Sequence, residues 1–72
     1  MPKTLVQLRI DNALTQEELA KKIGVTRETI ITWENAYNRP RPSHIRLLVE
    51  VFGVSIAEIN AAIEASKEQS KK

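Results

Sequence analysis

Apolar residues recur along the chain at helical spacing. Leu5 and Leu8 open the pattern, and Leu19, Ala20 and Ile23 continue it. Ile30 and Trp33 follow, then Ile45, Leu48, Val49 and Phe52, and finally Ile56, Ile59 and Ile63. Separations of three and four gather each set on one helical face. No clean period-2 run occurs and aromatics are only 4% of the residues, so strands are not expected. Trp33 reads as core filler, Tyr37 as a residue that packs in a loop, and His44 as a surface residue in the first turn of a helix.

Capping signals mark the starts and ends. Thr4-Leu5-Val6-Gln7, Thr15-Gln16-Glu17-Glu18 and Ser55-Ile56-Ala57-Glu58 fit the capping box, in which a hydroxyl and a carboxylate or amide satisfy unpaired N–H groups. Thr26 and Ser43 supply N-caps without the box. Gly24 and Gly53 stand where a left-handed residue closes a helix. Five helices result: Leu5 to Asp11, Gln16 to Ile23, Arg27 to Glu34, His44 to Phe52 and Ile56 to Ala65. Two prolines make Ala36 to Pro42 a loop. The expected organisation is one domain over 1–65 and a polar, flexible tail over 66–72 that carries Lys67, Lys71 and Lys72. Each helix is too short to persist alone, so tertiary packing must hold it.

Composition narrows the function classes. The 72 residues contain no Cys and one His, which leaves no disulfide and no ligand set for zinc. No apolar run approaches 18 residues, and the start lacks a secretory signal, so the expectation is a cytoplasmic protein without membrane association. There is no Cys nucleophile, no glycine-rich phosphate loop and no arranged Ser–base pair, so neither an enzyme nor a bound cofactor or metal is expected. Net charge is only +2, but it is unevenly placed. From Lys21 to Arg46 there are six basic residues against two acidic ones. That basic centre fits either a polyanion-binding surface or a solvated face.

The second and third helices are joined by Gly24-Val25-Thr26, a three-residue turn of the helix-turn-helix kind. On a helical wheel Ile30 and Trp33 lie about 60° apart and face the core, while Glu28 and Thr32 lie about 160° from Ile30 and face outward. Arg27 begins the helix, and Ile31 flanks this polar edge. In a major groove Arg forks onto guanine, Glu accepts from cytosine, and Thr either hydrogen-bonds several base edges or touches a thymine methyl. The helix starts at Gln16 and Arg27 favour phosphate.

The stretch Leu14-Thr15-Gln16-Glu17-Glu18-Leu19-Ala20-Lys21-Lys22-Ile23-Gly24-Val25-Thr26-Arg27 closely resembles the helix-turn-helix of the phage-repressor and Cro-like (XRE-type) regulators. The likeness continues through Thr29-Ile30, Trp33-Glu34-Asn35 and Phe52-Gly53-Val54-Ser55, and covers about Thr4 to Ile63. It implies an all-α, compact, five-helix, lambda-repressor-like DNA-binding domain. By the same resemblance Arg27, Glu28 and Thr32 are the base-reading positions, and Gln16, Thr29 and Asn35 contact the DNA backbone. Arg39 and Arg41 approach phosphates or an adjacent minor groove. Arg9 and Glu34 form a partly buried ion pair between the first and third helices. Two departures stand out, because Ala13 and Ala36 occupy positions where the family often has Gly. Asn12 and Asn35 are the expected left-handed residues in their place. Ile31 stands where relatives are often polar, and can touch a thymine methyl, a partner or nothing.

The function implied is a sequence-specific transcriptional regulator of double-stranded DNA. One helix reads too few bases to single out a genomic site, so a homodimer is expected, with the fourth–fifth helix region as its interface. The alternative is a protein-interaction module, an antitoxin or coregulator, with a regulatory protein as its partner.

Overall fold

A computed structural model describes residues 3–70. Its elements are α1 (Leu5–Asp11), α2 (Gln16–Ile23), α3 (Arg27–Glu34), α4 (Pro42–Phe52) and α5 (Ile56–Ser70). Among the described residues there is no strand, and no helix is long and apolar enough to cross a membrane. The inner faces of all five helices meet in one core: Leu5 and Leu8, Leu19 and Ile23, Ile30 and Trp33, Leu48 and Phe52, Ile59 and Ile63. The α5 helix touches α1, α3 and α4, so it closes the core behind the α2–α3 pair.

The helix starts follow local chemistry. Thr4 Oγ1 accepts the Gln7 N–H at 3.1 Å, but the Gln7 amide turns to Asp11 instead of completing a box. Thr15 and Glu18 make the full reciprocal box, at 3.0 and 2.9 Å. Ser55 and Glu58 make a looser one, at 3.1 and 3.4 Å. The fourth helix begins two residues earlier than Ser43 as its cap would require. Pro42 is its first residue and Arg41 its cap, with no side-chain cap bond. Proline fits that position because its fixed φ suits the first turn and no N–H is wasted.

The helix ends correct the expectation about asparagine. Asn12 and Asn35 keep negative φ, −97° and −94°, and the left-handed residues are Ala13 (φ 56°) and Ala36 (φ 60°). The reason lies in the terminal hydrogen bonds. Leu14 N–H reaches Arg9 O at 3.1 Å and Ala13 N–H reaches Ile10 O at 2.9 Å. Tyr37 N–H reaches Thr32 O at 2.9 Å and Ala36 N–H reaches Trp33 O at 3.2 Å. This is the Schellman arrangement, which demands a left-handed backbone at the residue following the asparagine. Gly24, φ 87°, meets the same demand without a Cβ.

Four further expectations change. Helix α5 does not stop at Ala65 but runs to Ser70. Ser66 is 1% exposed and takes the Leu5 N–H on its Oγ at 3.1 Å, so residue 66 belongs to the domain and not to a tail. Lys71 and Lys72 lie outside the described residues. The buried stripe of α5 is Ile59, Ala62, Ile63, Ala65 and Ser66, which swings Ile56 to its margin and leaves it 55% exposed. His44 is half-buried, its ring 5.3 Å from that of Trp33, because it lies one turn before Leu48 on the inner face of α4. Tyr37 is 78% exposed, and the buried residue of its loop is Pro40.

Candidate nucleic-acid interface

The α2–α3 pair is joined through Gly24, whose N–H and that of Val25 both close on Ala20 O. Thr26 then caps α3, its Oγ1 accepting the Thr29 N–H at 3.2 Å. Burial of Ile30 and Trp33 sets the rotation of α3 about its axis. Arg27 and Glu28 are consequently exposed, Ile31 and Thr32 half-buried beside them. Glu28 and Thr32 thus lie on the side of α3 away from Ile30, and Arg27 is exposed at the first position of the helix. Thr29 lies next to them, its hydroxyl 2.9 Å from that of Thr26. Thr32 Oγ1 donates to Thr29 O at 2.7 Å.

Beneath this edge lies a network of side chains. Arg9 Nε donates to Glu34 Oε2 at 2.6 Å, and Arg9 also donates to Leu14 O at 2.9 Å. Gln16 Nε2 donates to Glu34 Oε1 at 2.8 Å. Both carboxylate oxygens are therefore occupied, by groups from α1 and α2, with the Arg9 and Glu34 side chains 15% and 6% exposed. A carboxylate this deep requires such partners. Gln16 is anchored by α3 while standing at the first position of α2.

The remaining candidates lie on the α3–α4 loop. Asn35 is exposed at the end of α3, and Arg39 and Arg41 are exposed further on. Arg39 reaches across to α5, 3.4 Å from Asn60 Oδ1 and 3.7 Å from Glu64 Oε2. These two α5 residues have no signal in the sequence, because their proximity to the loop arises only when α5 packs. The helix ends differ electrostatically. The first turn of α4 has no acidic residue, whereas that of α2 carries Glu17 and Glu18. The Glu18 carboxyl is held below its usual value by the Thr15 backbone N–H and then by the Thr15 hydroxyl. Among the described residues, no group of three or more His, Asp or Glu gathers as a metal site.

The chain presents a cation, an anion and a threonine from one helix, and its sequence is similar to those of known proteins. The family model described as helix-turn-helix matches residues 5–59. The phage transcriptional repressor RstR of Vibrio cholerae is 32% identical over 65 residues, covering 90% of this chain and 59% of the repressor. The transcriptional activator BcrR of Enterococcus faecalis is 36% identical over 55 residues, 76% of this chain but 27% of that protein. An HTH-type transcriptional regulator of Methanocaldococcus jannaschii is 41% identical over 59 residues, 82% of this chain and 89% of the regulator. The chain thus spans less than two thirds of the first two relatives. No solved structure matches the chain at comparable significance. With the family model matching most of its length, the chain belongs to the phage-repressor and Cro-like, XRE-type helix-turn-helix family of DNA-binding domains.

Proposed function

We propose that this chain acts as a sequence-specific transcriptional regulator of the repressor or Cro type, reading the DNA major groove with α3 as a homodimer. The carrying observation is the uncovered side of α3, with Arg27 and Glu28 exposed while Ile30 and Trp33 are locked in the core. In this reading Arg27 forks onto guanine and Glu28 accepts from cytosine, with Thr32 contacting a third base. Gln16, Thr29 and Asn35 face the sugar-phosphate backbone, with Arg39 and Arg41 supplying charge. Arg39 then exchanges its partners on α5 for phosphate. Arg9 and Glu34 hold α1, α2 and α3 together and touch no base. The repressor and regulators named above support this role. The exposed Ile56 at the start of α5 supports a second copy as the partner there. A chain acting in this way works in the cytoplasm and catalyses no reaction.

Selection from a randomised duplex pool at near-physiological salt tests the proposal. The expected product is an inverted repeat with half-site centres about 10 bp apart. Arg27→Ala should then weaken binding by about 1–3 kcal/mol and relax preference at one base pair. A folded protein that enriches no sequence overturns the proposal and directs attention to a protein partner.

A further inference from the structure

We infer that Thr32 reads a thymine through its methyl group, and does not hydrogen-bond a base. The inference deepens the DNA-reading proposal and rests on it. Threonine in general offers a groove one donated proton, lone pairs and a methyl group. Here the proton is already committed, because Oγ1 donates to Thr29 O at 2.7 Å, a typical length for a good O–H···O bond. A hydroxyl has only one proton, so Thr32 has none left for guanine O6, a purine N7 or thymine O4. The oxygen is also turned back along α3 in a part-buried bond. The neighbouring hydroxyls bond differently. Thr26 Oγ1 takes the Thr29 N–H, and the Thr26 and Thr29 hydroxyls lie 2.9 Å apart.

With its proton committed and its oxygen turned back along α3, what Thr32 has left to offer a base is its methyl group. On the major-groove edges of the four bases, the only apolar group is the thymine C5 methyl. An apolar contact at this position consequently selects thymine.

The test starts from the duplex that the wild-type protein selects. Each thymine is replaced in turn by deoxyuridine, which lacks only the methyl group, and Kd is measured. One thymine in each half-site should lose about fourfold in affinity, the worth of one buried methyl. Thr32→Val, which keeps the shape and replaces the hydroxyl by a methyl, should retain both the affinity and the sensitivity to uracil. Thr32→Ser, which keeps the hydroxyl and removes the methyl, should bind the thymine and uracil duplexes equally. A Thr32→Val protein with native circular dichroism that loses the base preference overturns the inference, since the hydroxyl is then the reader. So does a Thr32→Ser protein that remains sensitive to uracil, or a wild type insensitive at every thymine. A wild type that selects no duplex overturns the DNA-reading proposal itself, and is recognised before any variant is made.

Discussion

Two buried polar links hold this domain together, and they are built differently. The one under α3 is ionic: Glu34 joins Arg9 of α1 and Gln16 of α2. The one behind the core is neutral: Ser66 of α5 accepts the first N–H of α1 and donates to Ala62 O at 2.9 Å. The ionic link is flanked by both strained alanines. Ala13 stands between Arg9 and its acceptor Leu14, and Ala36 follows Glu34 by two residues. The neutral link has no strained residue beside it. Strain tends to collect where geometry is used, and here it surrounds the parts that hold the proposed reading helix. The two sides of the core should therefore resist change unequally.

The largest expected effect comes from halving the ionic link. Glu34→Ala leaves Arg9 without its carboxylate in a mostly buried setting, and should lower unfolding free energy by about 3 kcal/mol in urea titration. Arg9→Met combined with Glu34→Leu should recover most of that loss, because hydrophobic pairs of similar volume replace buried ion pairs well. A single variant that costs little would remove the contrast with Ser66. Ser66→Ala strands only the Leu5 N–H and should cost about 1–2 kcal/mol in the same titration.

Relieving the strain works in the opposite direction. Left-handed alanine costs roughly 1–2 kcal/mol, whereas glycine adds about 0.5–1 kcal/mol of unfolded-state entropy. Ala13→Gly and Ala36→Gly should each therefore stabilise the fold by about 0.5–1 kcal/mol. An unchanged urea midpoint for both would mean that the surroundings of the ionic link store no strain.

The smallest effect concerns Glu18, whose depressed carboxyl pKa favours the folded state. Its contribution is fully present above its ordinary value near 4.5 and is lost as pH falls through the lower folded value. Glu18→Gln should flatten that part of the stability–pH curve. A curve identical to wild type below pH 4.5 would show that the Thr15–Glu18 box does not couple to folding.

Much of the architecture was legible in the residues. The starts of α1, α2, α3 and α5 and the left-handed glycines follow from local hydrogen-bond demand, which needs no distant partner. The rotation of α3 was legible too, because Ile30 and Trp33 are three apart on one face. Less was legible where two local rules compete. Ser43 is a good cap, yet Pro42 is a better first residue, so α4 starts earlier. Asparagine tolerates left-handed backbone better than alanine, but the Schellman bonds decide which position must adopt it.

The site divides along the same line. That Glu28 and Thr32 share a side of α3, with Arg27 at its first position, is a consequence of helical period and capping and needed only the sequence. That Gln16 is tied to Glu34, that Arg39 meets Asn60 and Glu64, and that Ser66 caps α1 were decided by tertiary packing. Period and capping act over a few residues and are written in order along the chain. The links between α1 and α5, or between the α3–α4 loop and α5, join residues 21 to 61 positions apart. Nothing local distinguishes those residues from ordinary surface polar ones until the core brings their helices together.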